Sequence, residues 1–109
     1  MMAVIKDLQT ITTNVLSSLG EPTMQALYWE LSTQGVSTNP EEFDIKKFDH
    51  EMKKIFGDGA NVFMDEIYAR FKEKAEREYV DKKQIDEIND ESLPAIEKIL
   101  KILSLKVST

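Results

Sequence analysis

Cysteine is absent from this chain, histidine and tryptophan each occur once, and no apolar stretch approaches the length of a membrane span. Without cysteine there are no disulfides, thiolate metal ligands or thiol nucleophiles. A bilayer-crossing helix needs about 18 consecutive apolar residues. The first apolar run is broken by Lys6 and Asp7 and leads to no small-residue cleavage site, so it does not read as a signal peptide. A cytoplasmic location and no membrane partner are therefore expected. Basic residues are outnumbered: 14 Lys and Arg stand against 20 Asp and Glu, for a formal net charge of −6. Such a surface repels phosphate backbones and argues against nucleic-acid binding. Internal repeats, low-complexity tracts and convincing strand patterns are also missing.

What is there points to helices. The 109 residues suit one domain, and 41% hydrophobic with 31% charged residues is the balance of a soluble globular helical protein. Residues 2–19 carry apolar side chains at helical spacing (Val4, Leu8, Ile11, Val15 and Leu19), with threonines and serines mostly opposite. The outer face of this helix is weakly charged, as if something covers it. Gly20 is a stop, and Pro22 suits the first turn of a second helix that ends before Gly35 as its C′ residue. Met24, Leu27, Tyr28 and Leu31 form its inward stripe, and Trp29 lies off it. Ser37, Thr38, Asn39 and Pro40 mark a loop. A third helix starts at Pro40 or, with Asp44 as N-cap, just after it, and runs to Phe56. Gly57-Asp58-Gly59 separates it from a fourth, whose stripe is Ala60, Phe63, Met64, Ile67, Phe71 and Ala75.

The mixed-charge run 72–91 reads as a solvated helix end and a polar connection, with one helical turn around Ile85 and Ile88, or alternatively as one long helix projecting toward a partner. A last helix, capped by Asp90 or Ser92, shows Ile96, Ile99, Leu100, Leu103 and Val107, widened by Ile102 and Leu105. That face is too broad for one groove. It is either the centre of the core or partly an oligomer surface.

Candidate chemistry fails on inspection. Setting Gly59 at position six of a calcium loop puts Asp58 at five and Asp65 at twelve, but Lys54 at one and Phe56 at three, where oxygens are required. A phosphate loop lacks its third glycine, since Val62 stands there. The corner reading is preferred, with Gly57 in the left-handed C′ conformation and Gly59 or Asn61 letting the next helix begin. His50 has Lys53 and Lys54 where a second metal ligand belongs, and no serine has a nucleophile context. No catalytic, metal or cofactor site is expected, and the chain does not read as an enzyme. Lys46, Lys47, Lys53 and Lys54 raise a helix-turn-helix reading. Against it stand a connection longer than the usual turn of about 3–4 residues and the acids Asp49 and Glu51, expected on the exposed side.

Three segments follow one another at short spacing: LGEPTMQALYWEL from Leu19, NPEEF from Asn39 and IFGDGAN from Ile55. Together they resemble a small all-helical archaeal output domain, found alone or attached to signalling modules. The resemblance covers about residues 19–71 and leaves 72–109 outside. It implies a helical signalling module and carries over no catalytic residue.

The expected architecture is an all-α orthogonal bundle of about five helices in a single domain. The expected function is a non-enzymatic protein-interaction or signalling-output module that self-associates as a homodimer, with Trp29, Ile99 and Leu103 as interface residues. A second reading is a small-ligand sensor whose pocket is lined by Met24, Tyr28, Phe48 and Phe63. A helix-turn-helix regulator is the third.

Overall fold

The computed structural model describes residues 2–37, 39 and 41–108, without the side chains of 2, 3 and 106–108. The expected turn residues Thr38 and Pro40 lie outside the described residues, as do the side chains of Lys106 and Val107. The chain is an all-α bundle: α1 (Met2–Leu16), α2 (Glu21–Thr33), α3 (Ile45–Phe56), α4 (Ala60–Glu78), α5 (Lys82–Ile88) and α6 (Ala95–Ser108). Two 3-10 turns, Ser17–Leu19 and Gly57–Gly59, lie after α1 and α3, and no strand occurs among the described residues.

The helix ends follow local chemistry. Asp44 caps α3 by accepting from the amides of Lys46 and Lys47, and so selects the later of the two expected starts. At the end of α2 the Val36 amide reaches the Leu31 carbonyl at 2.9 Å and the Gly35 amide reaches Ser32 at 3.0 Å. This double closure needs a positive φ at Gly35, which is +85°, and it buries Val36 beside Leu31. Ser17 and Ser18 bond back to the carbonyls of Asn14 and Val15. Such back-bonding competes with the α-helical ladder, and the helix expected to run to Leu19 ends as a 3-10 turn.

The expected cap of α6 is corrected. Asp90 accepts from the amide and hydroxyl of Ser92 and closes the preceding turn, while the Pro94 carbonyl accepts the first bonds of α6, from the amides of Glu97 and Lys98. The run 72–91 is not one helix. α4 stops at Glu78, and Asp81 caps a separate α5 through the Lys83 amide, which gives six α-helices among the described residues, in keeping with an all-α bundle of about five.

α4 is the hub, packing on α1, α3, α5 and α6. Its stripe of Ala60, Met64, Ile67, Phe71 and Ala75 is buried along its length. Fully burying side chains such as Phe71 or Ile67 stabilises the fold by roughly 1.5–3 kcal/mol each. α6 packs on α3, α4 and α5, and this contact buries Ile96, Ile99, Ile102 and Leu103 and leaves Leu100 and Leu105 half-buried: Ile99 is 0% exposed and Leu103 9%. α2 is peripheral. It is held by the Ser17–Leu19 turn and by Leu27 and Leu31, its only buried side chains.

Asp49 and Glu51, expected on an exposed side of α3, are both buried. Each is paired with a lysine within one turn, Asp49 with Lys53 at 3.0 Å and Glu51 with Lys54 at 3.2 Å. Pairing is what lets a carboxylate leave water. α3 packs against both α4 and α6, so more of its circumference is covered than one apolar stripe suggests.

Candidate functional site

The Gly-Asp-Gly corner is structural. Gly57 has φ 58° and ψ −135°, while Gly59 has φ −61°, an ordinary helical value. Only the first glycine is required by the backbone. Asp58 and Asp65 are exposed, and Lys54, at the first position of the imagined calcium loop, is engaged by Glu51. All four lysines of the two basic pairs of α3 are exposed, but they are not all unengaged. Lys53 and Lys54 are ion-paired, and the Lys47 ammonium lies 2.9 Å from where a Cβ on Gly35 would stand. His50 is exposed.

Two features remain. The first is the outer face of α2. Trp29 is 69% exposed, and its neighbours one turn away, Gln25, Ala26, Ser32 and Thr33, are exposed as well. None of them is charged. Between positions 8 and 40 the only charged residues are Glu21 and Glu30, in a chain that is otherwise rich in charge. Thr10, Asn14, Ser17 and Ser18 on the exposed side of α1 and its turn extend the same neutral character.

The second feature is a groove of about 470 Å³ between α1, α2 and the connection that follows Gly35. Gln9 and Thr13 form one wall, Tyr28 and Ser32 the other, and Val36, Ser37 and Asn39 the end. Beneath it a cavity of about 10 Å³ is lined by Thr12, Leu31, Phe43 and Phe48 together with shared groove residues. The Gln9 amide donates to the Thr13 hydroxyl, and Ser37 donates to Glu42. The buried Tyr28 hydroxyl has no hydrogen-bond partner among the described residues.

The expected residues are thereby sorted. Of the interface set, Trp29 is at the surface. Ile99 and Leu103 are corrected to core positions, because α3, α4 and α5 cover the face that carries them. Of the pocket set, Tyr28 and Phe48 come together in the cavity. Phe63 lies elsewhere, packing on Phe56 at 5.2 Å and lining a separate surface pocket of about 280 Å³ with Val15 and Arg70. Met24 is half-buried and lines neither the groove nor the cavity. Gln9, Thr13, Ser32 and Ser37 were not anticipated as site residues. Their signal in the sequence is the charge-poor stretch itself, of which the weakly charged outer face of the first helix is one part.

No helix among the described residues is long and apolar enough to cross a membrane. Comparison with protein-family models, with curated proteins and with solved structures gave no match.

Proposed function

We propose that this chain is a non-enzymatic, cytoplasmic protein-interaction module that docks through the uncharged face of α2, and that it self-associates there as a homodimer. The observation that carries the reading is Trp29, a large indole left 69% exposed on a face without charges. Tryptophan is over-represented among residues that dominate binding energy, because it buries much area at small entropic cost.

Charge supports a second copy as the partner. Two identical chains of −6 repel wherever their acidic surfaces meet, and a two-fold contact sets each patch against itself. The neutral α1–α2 side is where that repulsion is least. The signalling-output role belongs to the same proposal and rests on the resemblance of residues 19–71 to archaeal output domains.

Trp29 is the only tryptophan, so its emission reports directly on the docking face. Sedimentation from about 5 to about 500 µM is expected to show a dimer, with the indole protected from acrylamide as the dimer forms. Trp29→Ser is expected to sediment as a folded monomer with unchanged helicity. A monomer over the whole range, with an indole quenched equally throughout, removes self-association.

A further inference from the structure

We propose that the groove between α1, α2 and the chain after Gly35 is a binding site for an uncharged, hydrogen-bonding small molecule whose polar end reaches the Tyr28 hydroxyl. The proposal is independent of the docking role of Trp29. Three observations carry it.

The first is the unpartnered hydroxyl. Buried polar groups are nearly always paired, because an unpaired one forfeits its bonds to water. Tyr28 holds its hydroxyl out of solvent with no partner among the described residues, although its ring is only half-buried. The adjoining cavity of about 10 Å³ is the size of one water. One water there would satisfy the hydroxyl in the free protein, and a ligand's polar end would displace it. Such exchange favours binding when the incoming group reproduces the lost hydrogen bond.

The second is size and composition. The groove is within the range of small-molecule sites, and it joins hydroxyl and amide groups to an apolar floor of Leu31, Val36, Phe43 and Phe48. Gln9 Nε2 is engaged by Thr13, which leaves its carbonyl oxygen facing other partners. Ser37 is positioned from both sides, donating to Glu42 and accepting from the Asn39 amide at 3.0 Å.

The third is the absence of charge from every residue that lines it. A carboxylate or phosphate would find no cation among the lining residues and would meet the field of an acidic chain. A cation would lose water without gaining an ionic partner among the lining residues, none of which is a carboxylate. A neutral group with a donor and an acceptor, such as an amide, loses least on entering.

The test is a two-dimensional amide NMR titration of the full chain with three probes of one shape: benzamide, benzoate and benzamidinium. Benzamide is expected to give saturable shifts at Gln9, Thr13, Tyr28 and Val36, with a dissociation constant on the order of 1 mM. Benzoate and benzamidinium are expected to bind at least about tenfold more weakly. Tyr28→Phe, which removes no internal hydrogen bond, is expected to fold normally and weaken benzamide about fivefold. Thr13→Val, on the opposite wall, gives a second reading should the Phe variant misfold, and is expected to weaken benzamide at least about twofold. No saturable shift at the groove overturns the proposal. So does equal binding of a charged probe, or benzamide affinity unchanged in both variants.

Discussion

The Tyr68 hydroxyl on α4 donates to the side-chain oxygen of Asn89 at 2.9 Å, tying the hub helix to the chain just past α5. Lys98 of α6 stands over the same ring, 4.5 Å from its centroid, so one tyrosine joins three segments. Tyr68→Phe should lower unfolding free energy by about 1 kcal/mol in urea. Burial, and then the Glu76 carboxylate, hold this phenol above its ordinary value of 10.0. A raised value means the folded state favours the protonated form. That stabilisation is complete below the ordinary value and is lost as pH rises through the folded one. The advantage of wild type over Tyr68→Phe should therefore be constant up to about pH 9 and shrink above about pH 10. An advantage that grows with alkalinity would refute this.

The two glycines of the corner should answer differently to alanine. Gly57 adopts a backbone that side chains avoid, although an added Cβ meets nothing within 4 Å. Gly57→Ala should therefore cost about 1–2 kcal/mol from conformation alone. Gly59 is already helical, and its added Cβ would touch only the Phe56 Cβ at 3.7 Å, an ordinary contact. Gly59→Ala should be neutral or stabilise by up to about 1 kcal/mol, by restricting the unfolded chain. Equal costs, by thermal or urea unfolding, would show that the corner needs both.

This contrast also marks what sequence reasoning reaches. Asp44, Gly35 and Gly57 act on backbone within a few residues, so their roles were legible from neighbours alone. The all-helical class was legible because apolar spacing is itself a local pattern. Ile99 and Trp29 were harder. Both were placed on an interface, yet one is core and one is surface, because the outcome depends on which helix covers which face. The groove was only half visible for the same reason. Tyr28 and Phe48 are both aromatic and were grouped together, whereas Gln9 and Ser37 meet only through packing of distant segments. Phe63 satisfied the same pattern as Phe48 and belongs to another surface.

Asp7 ties the first half of α1 to the C-terminal end of α4. Its carboxylate accepts from the Tyr79 hydroxyl, and the Lys74 ammonium stands 3.9 Å away while pairing with Glu78 at 2.9 Å. The Glu78 hydrogen bond, followed by the Asp7 and Glu78 charges, holds the Lys74 ammonium above its usual value despite an opposing desolvation cost. Asp7→Asn keeps the shape but removes the charge from this arrangement. It should cost about 1 kcal/mol and speed amide exchange in the first turns of α1 more than in α6. Uniform acceleration across all helices would mean that Asp7 contributes only to global stability.

Asp49 and Lys53 should show an asymmetry. One carboxylate oxygen of Asp49 bonds Lys53 at 3.0 Å, while the other is buried with no partner among the described residues. The lysine side chain is 43% exposed, so it recovers water easily when its partner is removed. The carboxylate does not. Lys53→Met strands a buried anion and should cost about 1–3 kcal/mol. Asp49→Leu removes the anion and its unpaired oxygen together, at similar volume, and should cost less than about 0.5 kcal/mol or stabilise. Lys53→Met added to Asp49→Leu should then change stability little, so a double-mutant cycle in urea should give a coupling close to the whole single-mutant cost of Lys53→Met. If Asp49→Leu proves the more damaging change, the carboxylate is stabilising α3 in its own right, and the unpaired oxygen is not a burden on the fold.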